Sequence, residues 1–449
     1  MLGGGLAGMA AACHLLDAGY AVTLVEKRPF LGGRAYSFTD AKTGAQVDNG
    51  QHVFLGCCAY YIEFLKKLGT LDKARLQRRL RVPVLHASGK AGVLYSVPLP
   101  APFHLLPAFL RYPHLGWRDK LLGLYALAQV RFANRSSPLL ANVSFYDWLK
   151  ARRQSDHAIQ NFWDLVVRPT ANDDSRNVSA SVGLMIFQEG LLKTRHGADM
   201  GYATVGLSEL MGEPARDYIQ ARGGTLLLGR PATRLLLEDG HFKGVEVAGG
   251  ETIRADWYVS ALPFSVLKGL LPDSLAQEPF FSRLGQLTSA PIVDLHIWYD
   301  GPVLEEEFVA VLGSPIQWVF NRSRIQGQPP AGTGGQSGPG QYLCVSLSAA
   351  WEHIGQPKEA LRETFTREMA RVFPKAAQAS IERFLVVKEE RATFRALPGS
   401  QALRPPTVTP VPNLLLAGEW TDTGWPSTME GAVRSGVHAA RAIQGRRMA

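Results

Sequence analysis

The chain has 449 residues, 46% hydrophobic and 19% charged, enough for two or three domains around a large core. Its net charge of +9 fits either a solvated basic surface or attraction to an anionic membrane face, worth about 1 kcal/mol per basic residue at the surface; no nucleic-acid motif accompanies it. Cys13, Cys57, Cys58 and Cys344 have neither CxxC nor zinc spacing, no leader is expected and no apolar run of about 18 residues predicts a membrane span, so the expectation is a metal-free cytoplasmic protein with free thiols.

The first element is Gly3-Gly4-Gly5-Leu6-Ala7-Gly8, a G-x-G-x-x-G turn followed by helix formers through Leu16 and a short apolar strand, Ala21 to Val25, closed by Glu26-Lys27. Gly3 permits the tight turn, Gly5 admits a pyrophosphate and Gly8 lets helix and strand pack closely. The helix start offers N–H groups at Leu6 and Ala7, and Glu26 is placed to accept from a ribose hydroxyl. Such a turn normally follows a strand of about four to six residues. Only Met1-Leu2 stand before it, so weak cofactor binding is expected of this sequence as written. Gly32-Gly33-Arg34 then brings backbone and a guanidinium towards an anion, making Gly33 and Arg34 pyrophosphate candidates. Val47 to Val53 interrupts a β-like context with Asp48, Asn49, Gln51 and His52; it is either a simple turn or a polar edge to a flavin ring.

Pro98 to Phe132 mixes prolines, aromatics and leucines with basic residues, and Trp117 to Phe132 has an amphipathic helix pattern. This stretch reads either as a segment dipping into a bilayer interface or as an ordinary cap-domain helix pair. Ser144 is placed as an N-cap. Thr170 to Ser175 is a polar cluster past a helix end, a natural turn composition. Gly223 to Leu235 reads as strand, turn, strand, and Val245 to Val247 and Trp257 to Pro263 continue an antiparallel unit. Gly327 to Gln341 reads as a flexible surface loop. A final strand, Asn413 to Ala417, leads into Gly418-Glu419, and Met429-Glu430-Gly431-Ala432 opens the last helix.

With these pieces placed, the whole chain resembles the FAD-dependent amine oxidase and phytoene desaturase superfamily. "VDNGQHVFLGC", "RPTANDDSRNVSAS" and "LAGEWTDTGWPSTMEGAVRSG" resemble, more particularly, the hydroxysqualene dehydroxylases. The resemblance implies an α/β fold in which an FAD-binding Rossmann-like domain (1–70, 206–265, 401–449) is interwoven with a substrate domain of mixed β-sheet plus helices (71–205, 266–400). It implies that Gly3, Gly5, Gly8, Glu26, Gly33 and Arg34 hold the adenosine and pyrophosphate. Backbone around Thr233 would meet the adenine side, and Gly418 and Glu419 the ribitol and pyrophosphate. Glu419 stands where many relatives have Asp. The helix opened by Met429, Glu430 and Ala432 would face the flavin.

The reaction implied is replacement of the allylic hydroxyl of hydroxysqualene by hydride, giving squalene, with reducing equivalents from an external electron donor. It needs a dry tunnel for a long isoprenoid and a proton for the departing oxygen. Asp173 and Asp174 are the candidate general acids, as a close carboxylate pair, with His52 as the alternative donor. Competing readings are a carotenoid-type desaturase running hydride the other way, an amine oxidase, and a non-enzymatic prenyl-lipid carrier on the same fold.

Overall fold

In a computed structural model describing residues 1–42, 44–327, 334–335 and 338–447, the glycine turn sits at the centre of a parallel sheet. Thr23–Val25 pairs with Thr225–Leu227, and Tyr258–Ser260 pairs with Leu414–Leu416, both in parallel. Leu2 joins the two pairs by parallel bridges to Val25 and Ser260. Met1-Leu2 therefore occupy the central strand position, tied by Leu2 N–H to Val259 O at 2.9 Å and Val25 N–H to Met1 O at 2.8 Å. Both main-chain groups of Leu2 are satisfied, its N–H by Val259 O and its carbonyl by Ala261 N–H at 2.8 Å. Tyr258–Ser260 is thus a strand of the parallel sheet; the expected antiparallel unit ends earlier, in the sheet Ala232–Glu238, His241–Val247 and Thr252–Ile253.

Leu6–Asp17 is helical, as its Ala/Leu-rich composition predicts, and its first eleven residues bar His14 are buried. The closing helix Met429–Arg447 crosses it closely: a Cβ at Gly436 would overlap Ala7 O. The two ends of the chain thus pack together, which brings Gly418 and Met429 to the side of the glycine turn.

The second body is a seven-stranded sheet in the order Ile381–Phe394, Ser289–Tyr299, Gln341–Ser348, Trp318–Asn321, Phe308–Leu312, Arg81–His86, Ala91–Tyr95. Strand alternation gives Ser289–Tyr299 two buried faces. Val293, Leu295 and Ile297 pack under helix Lys358–Val372 in one core, while Asp294, His296 and Trp298 look the other way, Trp298 reaching Val47 of the first body. Residues 103–192 form a helical layer whose core stacks Phe145, Phe162, Trp163 and Phe187. Ser144 caps Phe145–Lys150 as expected, accepting from Asp147 N–H at 3.0 Å. Most of the expected loop at 327–341 lies outside the described residues.

Candidate functional site

A cavity of about 1210 Å³ runs from the glycine turn, between the two bodies, to the helical layer. A small-molecule site usually spans roughly 300–1,000 Å³, so this one has room for more than one ligand. Gly3, Gly5, Leu6, Ala7, Glu26, Lys27, Gly33 and Arg34 form one end; Gln51, His52, Gly418, Glu419, Met429, Glu430 and Ala432 form the middle. Leu80, Val82, Phe109, Leu124, Leu127 and Phe162 line an apolar arm.

The first end fits a dinucleotide. First-turn N–H groups of a helix have no intrahelical acceptor, and those of Leu6 and Ala7 border the cavity. Gly33 has φ +61°, and a Cβ on it would come 2.8 Å from the Gly5 Cα, so the floor of the cleft is bare backbone. Glu26 is held by Gly4 N–H at 2.6 Å and Arg28 N–H at 2.9 Å, fixing its carboxylate at the end of the strand. Gly8 does not touch the cavity. A Cβ there would overlap Gly3 O, so its work is the close helix–turn packing.

Arg34 and Glu419, 385 positions apart in sequence, form an ion pair at 2.6 Å, and Arg34 also donates to Ala392 O at 2.9 Å. Both residues border the cavity, each neutralising the other's charge beside the glycine turn. Glu430 is fully engaged in structure: it accepts from Tyr61 N–H and Arg434, both at 2.8 Å, pinning the start of the last helix to helix Ala59–Leu68.

Three further expected site residues lie off the cavity wall. Thr233 is one, its exposed hydroxyl donating to Glu246 O at 3.2 Å, while the adjoining Pro231 and Ala232 border the cavity. The pairing with His241–Val247 shifts register between Ala232 and Arg234, and Thr233, inside that bulge, is exposed. Asp173 and Asp174 are also off the wall. Asp173 is buried in an ion pair with Arg395 at 2.7 Å and accepts from Asn177 at 2.9 Å, while Asp174 accepts from Arg176 N–H at 2.9 Å. They shape a turn; their neighbour Asn172 is the one that reaches the cavity.

His52 does border the cavity. Burial pushes its imidazole below the ordinary range, and a ring nitrogen lies 3.0 Å from Gly50 O. It is therefore neutral near pH 7 and a poor acid. The acid that the sequence reading missed is Asp294. Its side chain is 3% exposed, borders the cavity beside Gly50 and Gln51, and burial pushes its carboxyl up to about 7. The signal was present: an aspartate within the apolar alternation Ile292-Val293-Asp294-Leu295 on a core-facing position. Next to it Asp48 and Arg322 pair at 2.9 Å, both nearly inaccessible, and Arg322 also donates to Gln51 Oε1 at 3.0 Å.

The flavin-containing amine oxidoreductase model matches residues 6–444, nearly the whole sequence. The chain belongs to that family. It has the fold of the FAD-dependent oxidoreductases. It is 28% identical to a 15-cis-phytoene desaturase of Synechococcus elongatus over 98% of this chain and 94% of that one. It is 29% identical to a zeta-carotene desaturase of Arabidopsis thaliana over 99% and 84%. Among solved structures it resembles an oxidoreductase from Methanosarcina mazei (TM-score 0.75, 18% identity, 98% and 99% covered). A putrescine oxidase bound to putrescine has a TM-score of 0.73 at 18% identity over 99% and 98%. At these identities the structural matches speak to fold alone.

Proposed function

We propose that this flavoprotein exchanges hydride with a long acyclic isoprenoid, and that its reaction is desaturation of the phytoene or zeta-carotene kind. The observation that carries this reading is one continuous cavity with a backbone-lined dinucleotide end and an apolar arm, in a chain aligned along its length with carotenoid desaturases. The flavin supplies hydride chemistry, accepting from a saturated carbon in a desaturase and donating to an allylic carbon in a dehydroxylase. The protein's part is to bind the cofactor at Gly5, Glu26 and Arg34, to hold the chain in a water-poor arm and to manage the proton.

A second reading, reduction of hydroxysqualene to squalene with hydride from reduced flavin, is favoured by the motif at Leu416 to Gly436 and by a protonatable carboxyl in the wall. The experiment runs both directions under anaerobic conditions, with oxidised FAD and phytoene or zeta-carotene, and with dithionite-reduced FAD and hydroxysqualene. New polyene absorbance in the first supports the desaturase. Squalene by gas chromatography–mass spectrometry in the second replaces it with the dehydroxylase. Bound lipid without flavin or turnover would leave a carrier.

The substrate's source fits a peripheral place on an anionic membrane. Helix Trp117–Phe132 is turned inside out: Lys120, Gly123, Ala126 and Val130 are buried, while Trp117, Leu121, Tyr125, Ala128 and Phe132 form an outward stripe, Phe132 being 84% exposed. Ala128, Phe132, Pro102 and Phe103 also border the cavity, so the stripe ends at its mouth. Exposed Arg111, Arg118 and Arg131 flank it, complementing acidic headgroups. Among the described residues no helix is long and apolar enough to cross a membrane.

A further inference from the structure

The cavity wall contains several carboxyl groups, and their partners separate them. Glu419 is paired with Arg34, Glu189 with Arg135 and Lys193, and Glu430 with Arg434. Glu26 is held by two backbone N–H groups, and Glu389 is half-exposed. Asp294 differs from all of them. It is buried in mid-strand and, among the described residues, forms no ion pair; its contacts are Gln51 N–H at 3.4 Å, the Cys344 thiol at 3.8 Å, and Ser346 directly across the strand pair. The guanidinium of Arg322 is committed to Asp48 and Gln51.

We propose that Asp294 is the group that holds and exchanges the reaction's proton inside the cavity. The geometry puts it where such a group has to be. It stands beside Gly50, Gln51 and His52, and a Cβ on Gly50 would clash with its Oδ2, so the loop has been kept bare to admit the carboxyl. The charged and titratable groups around it keep the proton on it. On its own strand, His296 follows two residues along and is held neutral by burial, its carboxyl-free ring engaged by the Tyr342 hydroxyl at 2.6 Å. From Gln341–Ser348 come Cys344, kept as a thiol by burial, and Ser346. Asp48 contributes negative charge, offset by Arg322. The strand Ile381–Phe394 sets Val387 opposite and brings no cation to it. Burial accordingly favours the neutral acid, near-balanced at about pH 7, the condition for giving and taking a proton with equal ease.

The inference rests on the isoprenoid reading for its chemistry, and the atoms balance in either direction. In desaturation the substrate loses one hydrogen as hydride to oxidised flavin and the neighbouring one as a proton to the Asp294 carboxylate, and the electron pair of that second C–H bond becomes the new double bond. In dehydroxylation the C–O bond breaks, the carboxylic acid gives its proton to the leaving oxygen as water, and hydride from reduced flavin forms the C–H bond.

The test uses FAD-loaded protein, with Asp294→Asn and Asp294→Glu beside the wild type. Infrared titration of the substrate-free protein reads the proton directly. The expected result is a protonated-carboxyl band that vanishes around pH 7 in the wild type, is missing in Asp294→Asn and is shifted in Asp294→Glu. Single-turnover rates should fall about 100-fold or more in Asp294→Asn, with flavin absorbance unchanged, and recover in part with a displaced pH profile in Asp294→Glu. A band unaltered by Asp294→Asn overturns the inference, and so does wild-type turnover with a wild-type pH profile in that variant. If the wild type converts neither polyene nor hydroxysqualene, the proposed function fails, and the infrared titration still decides whether Asp294 is the proton holder.

Discussion

Replacing Arg322 with methionine tests how the two bodies are locked around the cavity. The Arg322–Asp48 pair is 2.9 Å long, with side chains only 3% and 5% exposed, and it joins the end of strand Gln46–Asp48 of the first body to the helix that follows strand Trp318–Asn321 of the second. Asp48 keeps two other bonds, from Ser37 Oγ at 2.8 Å and Leu207 N–H at 2.9 Å, so the substitution leaves a hydrogen-bonded but uncompensated buried charge. Breaking such a pair from one side costs about 3–5 kcal/mol, most of it the penalty on the charge left behind. Adding Asp48→Asn removes that charge, and the double variant should regain about half of the loss. Urea unfolding followed by tryptophan fluorescence gives both numbers. The reasoning is refuted if Arg322→Met loses less than about 1 kcal/mol, or if the double variant is no more stable than the single.

Gly8→Ala would push a methyl into Gly3 O, where only backbone can yield; FAD affinity by flavin-fluorescence titration should fall at least about tenfold, or about 1.4 kcal/mol. Asp173→Asn should cost about 2–3 kcal/mol by weakening the Arg395 pair, while the folded variant keeps its flavin content, because the side chain does not border the cavity. Stability should also respond to Asp294. Its folded carboxyl lies near 7 against an ordinary 3.8, so between about pH 4 and 7 the native state carries a proton that the unfolded state has lost. Stability therefore falls as pH rises through that window and levels off above it; Asp294→Asn should flatten the slope and, at pH 8, gain up to about 4 kcal/mol in urea unfolding. Replacing Trp117, Leu121, Tyr125 and Phe132 with glutamine should abolish co-sedimentation with vesicles containing anionic lipid, without loss of flavin; self-association that disappears instead would make the stripe a dimer face.

The cofactor end was legible in the sequence because its physics is local. The glycine spacing, the helix formers behind it and the acid at the end of the next strand all lie within the first 26 residues, and each residue type acts through its own backbone freedom or its neighbours. The helical pattern of Trp117 to Phe132 was equally readable. Its orientation was not, because periodicity shows that a helix has an apolar stripe but not whether protein or lipid covers it. The place of Met1-Leu2 was not readable either, because the strands that flank Leu2 on both sides come from positions near 25 and 260.

What the sequence by itself determined is the class of the protein: an FAD-binding α/β oxidoreductase fold whose glycine-rich segments lie at its two ends. Tertiary structure alone decided which polar groups face the cavity. Asp173 and Asp174 looked chemical as a pair, yet a partner 222 positions away, Arg395, takes Asp173 into the scaffold. Asp294 looked like one acid in an apolar strand, yet it meets Gln51 across 243 positions and, among the described residues, forms no ion pair. A carboxyl's proton affinity depends on burial and on charges within a few ångströms, and those neighbours come from segments that only the folded chain brings together.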